Sequence, residues 1–426
     1  MRRDDVRYQA YIQILKEELI PAMGCTEPIA LAYGAARARE ILGTLPERID
    51  ATISGNIIKN VKSVIVPNTG GLKGIESAIA AGVVAGIPSL VLQVLSRVSD
   101  EQRSQIKHFL RTCPITVRPA PGNLIFDIDL KLYSANDHVH IRISEYHTNV
   151  VLIEKNGEVV FDAPELMVVE KGLTDRSIMN VKDILDFADT VNLDDVRELL
   201  DKQIEYNTAI SNEGLKNSYG ASVGQVILAT YGSDDVKVRA KARAAAGSDA
   251  RMSGCEMPVI IVSGSGNQGM AASLPVIEYA EHLGKSHDEL LRALVVSDLI
   301  TIHQKTSVGR LSAFCGAINA GCGSGAGIAY LMGGDFNAIA HTLINALAIV
   351  SGIVCDGAKA SCAAKIAAAV DAGLLGYHMY LYGTEFKGGD GIITKGVEDN
   401  IARIGRLAKD GMRETDLEII RMMVGD

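Results

Sequence analysis

Four of the seven cysteines in this 426-residue chain fall between Leu311 and Lys365. Cys315 and Cys322 share the small-residue run from Phe314 to Gly325, and Cys355 and Cys362 enclose Asp356, Gly357, Ala358 and Lys359. Each pair has six residues between its members, which on a regular helix sets them roughly 10 Å apart on one face. Two thiolates at that separation cannot share one zinc ion at bonds of ~2.3 Å. An iron-sulfur cluster is larger and is also held by thiolates, yet it too cannot use both pairs as straight-helix ligands. Either the backbone breaks within a pair or only some of the four are ligands. Gly357 is the natural break, because glycine tolerates conformations that end a helix. A loop there would bring Cys355 and Cys362 together while Cys315 approaches from a neighbouring segment and Cys322 packs. The plainer alternative is that all four fill closely packed helices, since free cysteine is among the most buried residue types.

Further candidates precede that region. Cys25 stands in Met23-Gly24-Cys25-Thr26-Glu27-Pro28. A helix over Arg7 to Ile20 should end at Pro21, and a second, alanine-rich helix through Ile41 should start at Thr26 or Glu27 with Pro28 in its first turn. Cys25 would then sit at a helix start whose partial positive charge favours thiolate; the alternative is a small residue in a tight turn. The loop from Pro67 to Gly74, with Asn68, Thr69 and Lys73, could present backbone N–H groups and a cation to a carboxylate or phosphate. The loop from Ser263 to Gly269, with Asn267 and Gln268, could hold a small anion, although it lacks the strand-loop-helix alternation of a dinucleotide fingerprint. His303 precedes Cys315 closely enough to be a polar neighbour.

The elements that must position these residues fall into three stretches. Residues 1–46 read as N-terminal helices packing on a catalytic domain. Residues 47–172 read as an α+β domain with a mainly antiparallel sheet, its strands at Ala51 to Val66, Ile115 to Val117, Leu124 to Tyr133, Val139 to Ser144 and Val150 to Val160. Helices over Gly74 to Ala85 and Asp100 to Leu110 interrupt the strands. Residues 173–426 read as all-helical, beginning with helices over Asp175 to Val191 and Leu193 to Leu215. The fold class is therefore α+β. Forty-two glycines and no tryptophan point to closely approaching helices rather than bulky aromatic packing. A formal charge of −9, without basic clusters, argues against nucleic acid as a partner. The uncharged stretch from Phe336 to Cys355 carries Asn337, His341 and Asn345, so a buried helix is expected rather than a membrane span. No secretory signal is read at the N-terminus, and seven cysteines without one suggest reduced thiols in the cytoplasm.

Taken together, the Cys25 motif, the loops from Asn68 to Gly71 and from Gly266 to Gly269, Cys315-Gly316-Ala317 and the run from Cys355 to Lys359 resemble the L-cysteine desulfidase family. That family is related to the iron-sulfur L-serine dehydratases, and the likeness spans essentially the whole chain. The resemblance implies a 4Fe-4S cluster held by Cys315, Cys355 and Cys362 with one iron open, and Cys25 as the base. It implies β-elimination from L-cysteine to sulfide, pyruvate and ammonia. Asn68, Thr69, Lys73, Asn267 and Gln268 become candidates for holding the substrate carboxylate, with His303 nearby. The sequence departs from the serine dehydratases in having the Cys25 motif in place of a serine- and histidine-rich one, and in a shorter interval between the last two ligands. L-serine dehydratase with the same cluster is one alternative, a non-catalytic iron-sulfur protein another, and a metal-free structural protein a third. Pyridoxal phosphate is a weaker option, because no lysine stands in a Schiff-base context. The expected partner is a small amino acid, L-cysteine or L-serine, and a homodimer is left open.

Overall fold

The computed structural model describes residues 1–121, 124–163, 173–309 and 312–424. Helix α1 (Val6–Glu18) starts at Asp5, whose carboxylate accepts the Arg7 N–H at 2.9 Å. It ends before Pro21, and Pro21–Met23 form a short strand, β1. Helix α2 (Thr26–Leu42) follows with Cys25 at its N-cap and stops at Gly43, which takes φ 82°. The two N-terminal helices part company. Tyr8 and Tyr11 of α1 pack on Phe187 in the helical half of the chain, with ring centroids 5.4 and 5.2 Å apart. By contrast, α2 lies on the sheet. A Cβ on its Gly34 would meet Ile143 at 3.1 Å and Leu130 at 3.3 Å.

That sheet has six strands, β2 (Arg48–Ile53), β3 (Ile115–Pro119), β4 (Asp127–Tyr133), β5 (His138–Ser144), β6 (Val150–Lys155) and β7 (Glu158–Asp162), in the order β3-β2-β4-β5-β6-β7. All neighbours are antiparallel except β2 and β3. Alternate residues Ile128, Leu130 and Leu132 with Val139, Ile141 and Ile143 are fully buried, as a one-face core demands. Helix α4 (Ile75–Ala85) covers α2, with Gly82 against the Ala32 backbone, and α5 (Asp100–Thr112) precedes β3. Two strand expectations are corrected. The stretch from Ala51 to Val66 holds β2 and then a short helix, α3 (Gly55–Val61), which buries Ile57 and Val61 one turn apart. The stretch from Val150 to Val160 is a hairpin, because Asn156 and Gly157 both take positive φ (54° and 84°), the tight-turn geometry that joins antiparallel strands.

The helical half contains α6 (Val181–Thr190), α7 (Arg197–Lys216), α8 (Val223–Tyr231), α9 (Val236–Met252), α10 (Gly266–His282), α11 (His287–Val308), α12 (Gly316–Leu331), α13 (Phe336–Val350), α14 (Cys362–Leu381), α15 (Val397–Arg406) and α16 (Arg413–Val424). Helix α6 starts later than periodicity suggests, because the Asn180 side chain accepts from the Asp183 N–H and caps it there. The half is not purely helical, since β8 (Pro258–Ile260) pairs antiparallel with β1. The expected boundary at Gly172 and the start of the cysteine-rich run at Leu311 lie outside the described residues. No helix among the described residues is long and apolar enough to cross a membrane.

Helix α12 runs through the middle of this half. A Cβ on Gly321 would fall 2.4 Å from the Ala369 backbone of α14, and one on Gly323 would fall 2.1 Å from Thr301 of α11. Replacing Gly321 with Val is therefore expected to overpack the α12–α14 contact and cost about 3 kcal/mol, read as a lower Tm. Nearby, Asp298 is fully buried and accepts a hydrogen bond from Gln203 at 3.0 Å. Burial pushes its carboxyl up to about 7. The folded state thus keeps a proton that the unfolded chain gives up near pH 4. The stability gained from that proton is full below that pH and is lost as pH rises through the folded value. Asp298→Asn is expected to raise Tm more at about pH 8 than at about pH 5.

Candidate active site

The β1–β8 pairing sets Met23 opposite Pro258 and so delivers Cys25 to the helical half while α2 stays on the sheet. Gly24 makes the turn with φ 62°, and a Cβ there would lie 2.1 Å from the Pro67 ring. Cys25 is 3% exposed. Its thiol donates to Glu27 Oε2 at 3.0 Å, and Asn60 Nδ2 donates to Glu27 Oε1 at 3.2 Å. The Thr26 hydroxyl reaches the Gly264 carbonyl at 3.0 Å. Burial and then the Glu27 charge push the Cys25 thiol well above its ordinary value, with Arg251 opposing. The expectation of a thiolate made by the helix start is thereby corrected. A helix terminus contributes at most ~2 kcal/mol, which full desolvation beside a carboxylate exceeds.

The other cysteines are brought together by backbone. Phe314 and Val354 form an antiparallel bridge, with Cys315 N–H donating to the Ile353 carbonyl at 3.2 Å and Cys355 N–H to the Ala313 carbonyl at 2.6 Å. Cys315 then caps α12 and Cys362 begins α14. Between them Gly357 turns the chain with φ 90°, where a Cβ would fall 2.3 Å from the Lys59 carbonyl. Burial, followed by Cys355, pushes the Cys315 thiol up to about 12. Asp356, held by Lys359 and Lys365, stays at about 2. Cys322 is buried inside α12.

Cys25, Cys315, Cys355 and Cys362 all line one cavity, with about 110 Å³ open to water-sized molecules. Among the described residues no three His, Cys, Asp or Glu side chains are close enough to hold a single metal ion. Three thiols spread around a cavity are the donors that suit a larger, polynuclear centre. Both halves build the walls: Asn60, Phe126 and His147 come from the sheet side, Arg251, Gln268 and Lys305 from the helices. The Phe126 and His147 rings meet edge to face at 4.9 Å.

Of the residues singled out in the sequence, Asn267 and Gln268 reach this cavity from the first turn of α10. Asn68, Thr69 and Lys73 do not line it. The Asn68 amide donates to the Leu95 carbonyl at 2.7 Å, the Thr69 hydroxyl to the Val66 carbonyl at 2.7 Å, and Lys73 is exposed. Their loop supports Gly24 from behind. His303 faces away and pairs with Glu398 of α15 at 2.7 Å, whereas Lys305 of the same helix lines the cavity. Sequence reasoning passed over Arg251, Glu27, Asn60 and His147. Glu27 lay within the quoted motif. Arg251 stood out only as a cation in the small-residue run from Ala244 to Gly254.

A model of the serine dehydratase alpha chain matches residues 89–421. The chain belongs to that family. The match includes Arg251, Cys315, Cys355 and Cys362 and begins after the Cys25 motif. Over its whole length the chain is also similar to proteins called UPF0597. It is 61% identical over 424 residues to one from Desulfitobacterium hafniense, covering 100% of this chain and 98% of that protein. Identity is 49% to one from Lachnoclostridium phytofermentans, covering 98% and 100%, and 47% to one from Treponema denticola, covering 100% of both.

The wall beneath Cys355 rests on a buried ion pair. Lys59, 1% exposed, pairs with Asp416 of α16 and reaches the Cys355 carbonyl at 3.4 Å. Asp416→Asn strands that ammonium and is expected to cost about 3 kcal/mol. The double replacement Lys59→Met with Asp416→Leu should cost less, both read from denaturant midpoints.

Proposed function

We propose that this chain is an iron-sulfur lyase of the serine dehydratase type that eliminates sulfide from L-cysteine. The observation that carries this reading is the convergence of Cys25 with Cys315, Cys355 and Cys362 around one small cavity. The three cysteines are soft donors at the mouths of two helices and a turn, and their chemistry suits a 4Fe-4S cluster. When bound, such a cluster with one open iron supplies a Lewis acid. The chain's own residues supply the rest.

Cys25 is the base; at rest its thiol donates to Glu27 at 3.0 Å, and the sulfur acts once that proton has left, a state that the Arg251 charge favours. Asn60 keeps the carboxylate of Glu27 aimed at Cys25. The Cα proton of the substrate passes to the Cys25 sulfur, its electron pair forms the Cα–Cβ double bond, and the Cβ–S bond breaks to release sulfide. The aminoacrylate left behind tautomerises to an imine, and water converts that to pyruvate and ammonia. Burial of Cys25 serves the step, because it limits exchange of the transferred proton with solvent. The Asn267 and Gln268 turn faces the space where the substrate carboxylate would lie.

L-Serine as the principal substrate is the second reading, favoured by the family's own description. The two are separated by pyruvate release from anaerobically reconstituted protein. L-Cysteine is expected to be preferred, and Cys25→Ala to lose ~100-fold or more with the cluster absorption kept. Preference for L-serine would move the substrate; no pyruvate from either, with the cluster present, would leave a non-catalytic iron-sulfur protein.

A further inference from the structure

We propose that Arg251, together with the first-turn amides of α10, is the anchor for the α-carboxylate of the substrate, an inference that rests on the lyase reading above. Arg251 ends α9 at 2% exposure and lines the cavity. Its one hydrogen bond among the described residues runs from Nη1 to Asn267 Oδ1 at 3.1 Å, a neutral acceptor, and Nε is buried without a partner. No carboxylate among the described residues pairs with it. Three nearby cations are matched by carboxylates: Lys59 by Asp416, and Lys359 and Lys365 by Asp356. A guanidinium this deeply buried requires an anion, and the described residues pair it with none.

The surroundings are built for one. Gly266 leaves room for the guanidinium, since a Cβ there would fall 2.4 Å from Nε and 2.9 Å from Cζ. At the N-cap of α10 the Ser265 side chain makes no capping hydrogen bond, so the amides of Gly266, Asn267 and Gln268 remain for a ligand. Gln268 is 4% exposed with Oε1 unpartnered, and its side chain lies against Gly316, next to Cys315. The acceptor that fits is small, planar and anionic, because a guanidinium and adjacent amides present parallel donors to a carboxylate. Arg251 also acts electrostatically on Cys25, so a carboxylate held there carries its neighbouring Cα toward the proposed base.

The test uses two ligands on the full-length, cluster-loaded protein, with dissociation constants measured by calorimetry. One is 3-mercaptopropionate, which has a thiol and a carboxylate; the other is 2-aminoethanethiol, which has a thiol and no carboxylate. Arg251→Gln is expected to weaken the first by about 30-fold, the scale of lost charge-assisted hydrogen bonds, and the second by less than about 3-fold. Gly266→Ala, which displaces the guanidinium without removing it, should give the same selective loss and decides the matter if the first variant does not fold. Equal weakening of both ligands, no weakening of either, or an altered cluster absorption spectrum would overturn the anchor and make Arg251 a structural counter-charge to the thiolates. Absence of pyruvate from the parent protein, with ligand selectivity intact, would instead sink the lyase reading and leave the anchor standing.

Discussion

The backbone bridge between Phe314 and Val354 is the constraint on which the site depends. It is made of ladder hydrogen bonds, so it fixes Cys315 and Cys355 side by side without calling on either thiol. Helices α12 and α14 leave from the two ends of this junction, and glycine at 321 lets their backbones approach closely enough to keep their starting turns in register. A bulkier seam would separate the helices, and with them the sulfur atoms at their mouths. The small-residue composition is therefore a positioning device as well as a packing one.

A second constraint comes from the opposite side of the cavity. The pairing of β1 with β8 carries the N-terminal chain from the sheet to the helices, and Cys25 is the residue at which that crossing becomes a helix. The cavity is consequently walled by both halves, with His147 and Phe126 from the turns of the sheet facing thiols from the helical bundle. The α+β half completes the site rather than standing apart from it. Within the cavity, charge is segregated: Glu27 lies behind Cys25, and Arg251 stands across from it at the start of α10.

How much of this was legible in the sequence follows from what each inference relied on. Spacing and glycine chemistry identified the break at Gly357, the approach of Cys315 from another segment and the packing role of Cys322, because covalent geometry restricts such spacings strongly. Local signals also placed α1, α2 and α4 closely. The helix hidden between Ala51 and Val66 escaped because its apolar spacing is compatible with either period over so short a run. Expectations about charge and ligands fared worse, since they depend on tertiary surroundings. Proximity to a helix start suggested a thiolate at Cys25, yet burial and Glu27 decide its state. The Asn68 loop has the composition of an anion site, but Thr69 braces its own turn and Asn68 bonds the Leu95 carbonyl. Arg251 looked like an ordinary helix residue, and only its depth and its neighbours show that no carboxylate among the described residues pairs with it.

The ion pair between Lys59 and Asp416 has a consequence for how the protein comes into being. Lys59 emerges from the ribosome early, and the carboxylate that neutralises it follows more than three hundred residues later. Until translation has passed Asp416, the ammonium beneath the Cys355 turn has no anion to bury against and must stay in water. The floor of the cavity is thus closed last, after every cysteine around it has been synthesised.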